Sequence, residues 1–226
     1  MDQMKRYAVY YAPRDGVFAY RANEWLGREP GNDRDLPQPV LAGIGDPHAI
    51  TAEPRRYGFH GTLRAPFRLA AEVTEASVRH CVAELAARLA PVTCEGLQVE
   101  VLHGFVALTP VGCEAALLDL GAAVVEATNA LRAPLSEAEI ARRRPDRLSP
   151  RQRDLLERWG YPFVMEEFRF HLTLTDQLEA PGPVSAALKM FFTPVLPRPF
   201  VIDELCLFGE DQSGRFHLLH RYALTG

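Results

Sequence analysis

A His-x-Thr-Leu motif occurs twice in this chain, each time directly after a phenylalanine. The two copies span residues 60–63 (HGTL) and residues 171–174 (HLTL). Apolar and polar residues alternate around both copies, which is the pattern of a half-buried β-strand. Side chains two positions apart on a strand share a face, so each motif presents an imidazole and a hydroxyl on one side. The apolar side chains point the other way, where helices can pack against them.

The segments that follow the two motifs also match in order and spacing. After the first motif, a helix is predicted from Thr74 towards Pro91, followed by strands over residues 97–102 and 105–109. After the second motif, a helix is predicted between Pro183 and Pro194, followed by strands over residues 200–208 and 215–224. This shared order of strand, helix and hairpin indicates an internal duplication.

The duplication predicts an α+β fold with two lobes related by a pseudo-two-fold axis. We expect two antiparallel sheets with helices on the outside and a central cleft between the lobes. Residues 1–226 would form a single bilobal domain, in which lobe 1 covers about 55–131 and lobe 2 covers about 168–226. A strand at residues 7–12 would join the sheets, and residues 132–167 would form an inserted helical segment.

Two segments outside the repeat have distinctive compositions. Residues 28–54 contain five prolines and few apolar residues, and we expect this long loop to cover the cleft. Capping-box signals at Ser136 and Ser149 predict helices in the inserted segment. The arginines between residues 142 and 153 have two interpretations: a solvated helical hairpin, or a basic flank that helps an anionic substrate approach.

Composition restricts the class of protein. The net charge of -4 argues against extensive binding of nucleic acid, and the N-terminus shows neither a signal peptide nor a membrane span. The four widely spaced cysteines contain no C-x-x-C pair, so we expect free thiols in a reducing cytoplasm, without a zinc site or a disulfide framework. These features predict a cytoplasmic location with no membrane partner.

The pseudo-symmetry would bring His60, Thr62, His171 and Thr173 together across the cleft. Paired imidazoles can take and give protons near neutral pH, and hydroxyls can donate hydrogen bonds to phosphoryl oxygens. Each motif offers only one metal ligand and lacks a neighbouring carboxylate cluster, so we expect no metal and no cofactor. No residue arrangement of a nucleophilic triad accompanies these histidines. The four residues therefore indicate acid–base catalysis on a phosphodiester.

Further residues are candidates for binding the substrate. By strand parity, Arg56 and Arg64 share the face of the first histidine, and Arg169 and Thr175 share the face of the second. A guanidinium at one of these positions would hold a second phosphate of the substrate. Tyr11, on the predicted N-terminal strand, is a fifth candidate for the pocket wall.

Around these residues the chain resembles the 2H phosphoesterase superfamily, whose members carry paired His-x-Thr/Ser motifs. Residues 56–67 (RYGFHGTLRAPF) and 168–178 (FRFHLTLTDQL) are more narrowly similar to a DUF1045-like bacterial branch found beside phosphonate-utilisation genes. The resemblance implies a bilobal fold and metal-independent hydrolysis of a cyclic phosphodiester by the two histidines and two threonines. The phosphonate association implies a small phosphorylated sugar substrate, such as a phosphoribosyl 1,2-cyclic phosphate.

Two alternatives remain open from the sequence. One is a noncatalytic module that binds a phosphorylated ligand in the same groove. The other is an enzyme that processes RNA 2′,3′-cyclic phosphates or 2′-5′ linkages, as other members of the superfamily do. The acidic net charge and the lack of an aromatic, basic stacking platform favour a small phosphorylated substrate and no stable nucleic-acid complex.

Overall fold

A computed structural model describes residues 4–226 of the chain. The helices are α1 (Val17–Leu26), α2 (Ala52–Tyr57), α3 (Glu75–Ala86), α4 (Glu114–Thr128), α5 (Glu137–Arg142), α6 (Pro150–Trp159) and α7 (Pro181–Phe192). The strands are β1 (Arg6–Tyr11), β2 (Arg28–Glu29), β3 (Arg34–Asp35), β4 (Gly61–Phe67), β5 (Val92–Cys94), β6 (Gly96–Leu102), β7 (Phe105–Val111), β8 (Leu172–Thr173), β9 (Phe200–Ile202), β10 (Glu204–Glu210) and β11 (Phe216–Ala223).

Both halves of the chain contribute strands to one seven-stranded sheet, in the order β11-β10-β1-β4-β8-β7-β6. Neighbouring strands in this sheet are antiparallel, and two small two-stranded sheets, β2-β3 and β5-β9, lie outside it. The α+β class is therefore confirmed. The structure differs from the expectation of two separate sheets because β4 and β8 pair through Gly61 and Leu172. This pairing joins the two motif strands at the centre of a continuous sheet.

The sheet order exchanges the hairpins of the two sequence repeats. Hairpin β6-β7 belongs to the first repeat but pairs with β8, whereas hairpin β10-β11 belongs to the second repeat and pairs with β1, which in turn pairs with β4. The helices follow the same exchange, since α3 packs on β10 and β11 and α7 packs on β6 and β7. Sequence order alone does not determine which hairpin a strand pairs with, because these pairings join segments that are distant in the chain. The expected ranges 55–131 and 168–226 thus describe the repeat, and each side of the sheet combines strands from both.

The main hydrophobic core lies on the face opposite the motif histidines. It contains Leu63 of the first motif, Leu172 and Leu174 of the second, and the phenylalanines directly before the motifs, Phe59 and Phe170. These are the apolar positions that alternate with the polar positions of each motif, so the period-two pattern accounts for their burial. The histidine face is consequently left for a cleft.

Several local predictions are confirmed by the structure. Thr74 caps α3, and Ser136 and Ser149 cap α5 and α6 through capping boxes. The turn between β6 and β7 consists of His103 and Gly104, both with positive φ, as a two-residue hairpin turn of type I′ requires. Helix α6 of the inserted segment buries part of its surface against α4 and is anchored there rather than fully solvated.

The expectation of four free thiols is wrong for two of the cysteines. Cys94 and Cys113 form a disulfide, with 5.0 Å between their Cα atoms, whereas Cys81 and Cys206 are free. In hairpin β6-β7 the pairing extends outward to Gly96 opposite Val111. Continuing that register by two residues places Cys94 opposite Cys113, so the hairpin itself brings these cysteines together.

In the part of the chain that the structure describes, residues 4–226, every helix is too short or too polar to cross a membrane.

Replacing Gly61 should weaken the junction between the two motif strands. A β-carbon at Gly61 would overlap the Phe170 ring, so Gly61→Ala forces that ring, or the chain that carries it into β8, to shift. We expect a loss of about 1–3 kcal/mol in the free energy of unfolding, the usual cost of overpacking a core. Urea denaturation followed by circular dichroism measures it.

Gly182→Ala is the matched control. Gly182 lies in the first turn of α7, and a β-carbon there would meet no atom within 4 Å. This change should be close to neutral, because alanine restricts the unfolded chain but also places a β-carbon directly before Pro183 in a helical turn. Equal effects of the two substitutions would contradict the close approach at the junction.

Candidate active site

The sheet register places the two motifs in a crossed arrangement. Gly61 of β4 lies opposite Leu172 of β8. Continuing this antiparallel register by one residue in each direction places His60 opposite Thr173 and Thr62 opposite His171, all on one face. Directly opposite side chains on paired strands are about 4.5–5.5 Å apart, and diagonal neighbours are about 7–8 Å apart. The two histidines are thus diagonal neighbours, and each faces the threonine of the other motif.

A cavity of about 410 Å³ lies on this face of the sheet. His60, Thr62 and Thr173 line it, together with the ring of Phe105. His171 adjoins the cavity through Phe105, whose ring centroid lies 5.5 Å from that of His171. The four residues of the two motifs are therefore gathered at one cavity.

Both histidines are held in the same tautomer. The Nδ1 atoms of His60 and His171 lie 2.8 Å from the carbonyl oxygens of Gly58 and Arg169, respectively, two residues earlier in each case. A carbonyl oxygen can only accept a hydrogen bond, so Nδ1 must carry a proton in both rings. The neutral ring then has its lone pair on Nε2, and in His60 this atom lies 3.2 Å from the Thr62 hydroxyl. Each ring can therefore accept or release a proton at Nε2 without losing its anchor.

Burial keeps both imidazoles neutral. Burial lowers the pKa of His60 to about 4. The hydrogen bond to the Gly58 carbonyl favours the charged ring and raises this pKa, but its effect is smaller than that of burial. A positive charge on His171 lowers the pKa of His60 further, so the two rings are within electrostatic reach of each other. Burial also lowers the pKa of His171. The unliganded site thus holds two neutral rings near pH 7, and a bound anion would favour protonation of either.

Tyr10, rather than Tyr11, faces the cavity. Tyr10 pairs with Thr62 across β1 and β4, and its ring stacks on that of His60 with 3.9 Å between centroids. Tyr11 pairs with Gly61, points to the opposite face and packs against Phe200 in the core. The expectation for Tyr11 is corrected accordingly, because the face of a strand residue depends on a register that the β1 sequence alone does not reveal.

Arg64 also lies outside the cavity, contrary to expectation. On β1, Tyr10 pairs with Thr62, but the next pair is Val9 with Arg64, so one extra residue is inserted in β4. This β-bulge turns Arg64 towards the core side. Its side chain is 2% exposed, and its Nη1 donates to the Trp159 carbonyl at 3.0 Å. Burial lowers the pKa of Arg64 to about 10.

The guanidinium groups of Arg56 and Arg169 are likewise outside the lining of the cavity. Arg56 lies in helix α2, where strand parity does not apply, and donates from Nη2 to the hydroxyl of Tyr57 at 2.8 Å. Tyr57 does line the cavity, so Arg56 supports its wall. Arg169 donates to the carbonyl oxygens of Glu166 and Phe168, and it contributes to the site through its own carbonyl.

Thr175 lies at the cavity as expected, but its hydroxyl is already engaged. Its Oγ1 accepts from the backbone N–H of Val106 at 2.9 Å and donates to the carbonyl of Asp176 at 2.8 Å. The bond from Val106 connects the segment after β8 to β7. Thr175 therefore holds the second motif in position.

The loop at residues 28–54 covers less of this cavity than expected. Glu53 and Pro54 of α2 border it, whereas the earlier part of the loop borders a second cavity that Arg28 and Arg55 also line. Arg28 is buried and donates to the carbonyl of Arg56 at 2.8 Å, so it fastens the loop to α2.

Four charged residues at the cavity were not among the candidates. Arg6 forms two hydrogen bonds to Glu210, of 2.5 and 2.8 Å, and Asp176 accepts from two backbone N–H groups at the start of α2. Glu53 pairs with a neighbouring arginine, and Arg143 arrives from the inserted segment. Asp176 was foreseeable, because it lies two residues after the second motif. Arg143 belongs to the arginine-rich segment for which a basic flank was one interpretation, whereas Arg6 comes from a distant strand and carries no local signal.

Among residues 4–226, no group of three or more His, Cys, Asp and Glu side chains is arranged to hold a metal ion.

Comparison with known proteins identifies the family. The model of the DUF1045 family, described as a protein of unknown function, matches residues 62–217. The match covers more than half of the chain and includes Thr62 and the whole second motif. The chain belongs to this family, which confirms the DUF1045-like assignment made from the motifs.

Two curated relatives match over nearly the whole chain. Both are named "Ribose 1,5-bisphosphate phosphokinase PhnN": one from Janthinobacterium sp. (strain Marseille), 37% identical over 94% of this chain, and one from Laribacter hongkongensis (strain HLHK9), 38% identical over 92%. In each case the match covers 49% of the relative. The chain therefore spans about half the length of the curated relatives it matches.

Two solved structures align over nearly the full chain at low similarity. The protein TT0787 of Thermus thermophilus has a TM-score of 0.49 and 15% identity, with 98% of each chain covered. A structure described as a phosphoesterase has a TM-score of 0.46 and 16% identity, with 99% of this chain and 100% of that chain covered.

The protonation of His60 should depend on His171. Ring-nitrogen NMR should show His60 titrating near pH 4 in the unliganded protein. In the His171→Gln variant the His60 pKa should rise, because a neighbouring positive charge no longer opposes protonation. A His60 pKa at or above the ordinary value of about 6.5 would contradict the buried, neutral ring.

The same shift links folding stability to pH. Between the folded pKa of about 4 and the unfolded value of about 6.5, the unfolded state binds more protons at His60. Neutral His60 therefore contributes to stability at pH values above about 6.5, and the free energy of unfolding declines as the pH falls from about 6.5 to about 4. Urea denaturation across this window should show a smaller pH dependence for His60→Gln than for the wild type.

Proposed function

We propose that this protein hydrolyses a small cyclic phosphodiester, with His60 and His171 acting as the general base and general acid. The observation that carries the proposal is the crossed pair of imidazoles, each anchored through Nδ1 to a backbone carbonyl. Both present Nε2 for proton transfer on the same face of the sheet. Two proton-transfer groups on either side of a bound phosphate are what phosphodiester hydrolysis requires.

The reaction balances with these two groups alone. The neutral histidine takes a proton from water as the water oxygen bonds to phosphorus. The bond between phosphorus and the leaving oxygen breaks, and the protonated histidine gives its proton to that oxygen. The products are a phosphate monoester and a free hydroxyl group. Because both rings have lowered pKa values when unliganded, the bound phosphodiester anion would raise the pKa of the ring that serves as the acid.

The two threonines are suited to hold the non-bridging oxygens. Thr62 and Thr173 line the cavity, and the register places each opposite the histidine of the other motif. A hydroxyl in this position can donate a hydrogen bond to an oxygen that gains negative charge in the transition state. No step in this scheme uses a metal ion, so we propose metal-independent hydrolysis.

The cavity and the relatives support a phosphorylated ribose as substrate. A volume of about 410 Å³ with tyrosine walls suits a sugar phosphate. The names of the curated relatives also refer to a phosphorylated ribose. Their kinase activity is not transferred to this chain, which spans half their length and contains no G-x-x-x-x-G-K-[ST] phosphate-binding motif. We therefore propose a phosphoribosyl 1,2-cyclic phosphate as the first substrate to test.

Turnover of a panel of cyclic phosphates tests the proposal. Purified protein treated with EDTA would be incubated with ribose 1,2-cyclic phosphates, nucleoside 2′,3′-cyclic phosphates and a 2′-5′ dinucleotide, and products would be assigned by phosphorus NMR. We expect hydrolysis of a ribose cyclic phosphate that persists in EDTA. Activity lost on chelation and restored by zinc or manganese would overturn the two-histidine scheme. Tight binding without turnover would favour a noncatalytic module.

Substitution of either histidine should be severe. His60→Ala and His171→Ala should each lower kcat by about 10²–10⁴-fold, the usual contribution of acid–base catalysis. The double variant should lose less than the product of the single losses, because the rings act as a pair. Thr62→Ala and Thr173→Ala should lower kcat by about 10–10³-fold, whereas Thr→Ser should be mild because the hydroxyl remains. Near-wild-type turnover by either histidine variant would exclude that residue from the mechanism.

The pH profile should be a bell whose position follows from the pKa shifts. One ring must be neutral and the other protonated, and both pKa values lie below the ordinary value of about 6.5 in the free protein. The optimum of kcat/KM should therefore lie on the acidic side of that value. The optimum of kcat should lie higher, because the bound anion raises the pKa of the acid. An alkaline optimum of kcat/KM would contradict this assignment.

A further inference from the structure

Arg143 is the cation at the cavity whose charge no described carboxylate neutralises. Its guanidinium lies over the ring of Tyr161, 4.6 Å from the centroid, and both residues line the cavity that holds the motifs. Across residues 4–226, no carboxylate lies within ion-pairing distance of it and no side-chain hydrogen bond engages it. Its N–H groups are therefore available to a ligand.

The other charged groups of the cavity are already paired. Arg6 forms its two hydrogen bonds with Glu210, and Glu53 pairs with Arg56 at 3.0 Å. Asp176 accepts from the backbone at the start of α2. A second anionic group on a substrate would therefore find its free partner at Arg143.

The position of Arg143 is fixed by the element that carries it. Arg143 is the C-cap residue of α5, and α5 is anchored to the residue directly after β4 by an ion pair of 2.9 Å between Glu139 and Arg68. Hydrogen bonds from Arg68 lower the pKa of Glu139 to about 2, so this pair persists across the working pH range. The neighbouring residues Arg142 and Arg144 are both exposed, and neither lines the cavity. Of the arginine-rich segment, only Arg143 therefore lines the cavity.

We propose that Arg143, stacked on Tyr161, is a binding subsite for a second phosphate, present as a phosphate monoester on the same substrate. A guanidinium offers paired N–H groups that match two oxygens of a phosphate, and stacking on an aromatic ring leaves its edge free. This inference rests on the proposed function and deepens it, since it assigns a residue to the monoester phosphate that a phosphoribosyl 1,2-cyclic phosphate carries beside its cyclic phosphodiester. Arg143 would set specificity by holding this group away from the bond that breaks.

A comparison of two substrates and two variants tests the subsite. The substrates are ribose 1,2-cyclic phosphate with and without a 5-phosphate, and the variants are Arg143→Ala and the matched control Arg142→Ala. Arg143→Ala should lower kcat/KM about 10–100-fold for the substrate with the 5-phosphate, by loss of a charge-assisted hydrogen-bonded pair. It should change kcat/KM less than about 2-fold for the other substrate, and Arg142→Ala should leave both unchanged. Arg143→Lys should recover part of the loss.

Two kinetic outcomes would overturn the subsite while leaving the proposed function intact. One is an equal loss on both substrates, which would place Arg143 at the cyclic phosphate. The other is no loss on either. Isothermal titration with ribose 5-phosphate provides a readout that needs no turnover. Binding to the wild type that weakens about 10–100-fold in Arg143→Ala, but not in Arg142→Ala, would support the subsite even if no cyclic phosphate is hydrolysed. Equal affinity of the wild type and Arg143→Ala would overturn it.

Discussion

The close approach of β4 and β8 at Gly61 and Leu172 is the contact on which the site depends. Only glycine fits there, because a β-carbon at position 61 would overlap the ring of Phe170, the residue directly before the second motif. This contact sets the register that crosses the two motifs and puts their polar side chains on one face. It also joins the strands of both repeats into a single sheet, with the hydrophobic core on the reverse side. Fold and site therefore share one constraint.

The histidines are prepared for proton transfer by opposing effects. Backbone carbonyls hold each Nδ1 proton and so leave Nε2 as the reactive atom, while burial disfavours the charged ring. Tyr10 contributes to this burial by stacking on the ring of His60. A neutral pair suits the resting state, because two adjacent imidazolium ions would repel each other. Under the proposed function, a bound anionic substrate would make protonation of one ring favourable, so substrate binding would raise the pKa of the ring that serves as the acid.

Much of this site was predictable from the sequence because the motif is local and repeated. His60, Thr62, His171 and Thr173 share a face by simple strand alternation, and the structure places them accordingly. The same rule failed for Arg64, because a β-bulge in β4 reverses the face to which the following residues point. It failed for Arg56 because that residue lies in a helix. Tyr10 and Tyr11 are neighbours on β1 and point to opposite faces of the sheet. Which of the two faces the cavity depends on the pairing of β1 with the distant strand β4. The bond between Cys94 and Cys113 was accessible in principle, since extending the predicted hairpin places these residues opposite each other.

In the proposed function, the two imidazoles act together on one bound phosphoryl group. Ring-nitrogen NMR during titration with orthovanadate, a phosphate-like anion that accepts a fifth ligand, tests this most directly without knowledge of the natural substrate. We expect the Nε2 signals of His60 and His171 both to shift with one dissociation constant, while both Nδ1 atoms remain protonated. A response confined to one ring, or two rings that respond with different dissociation constants, would contradict it.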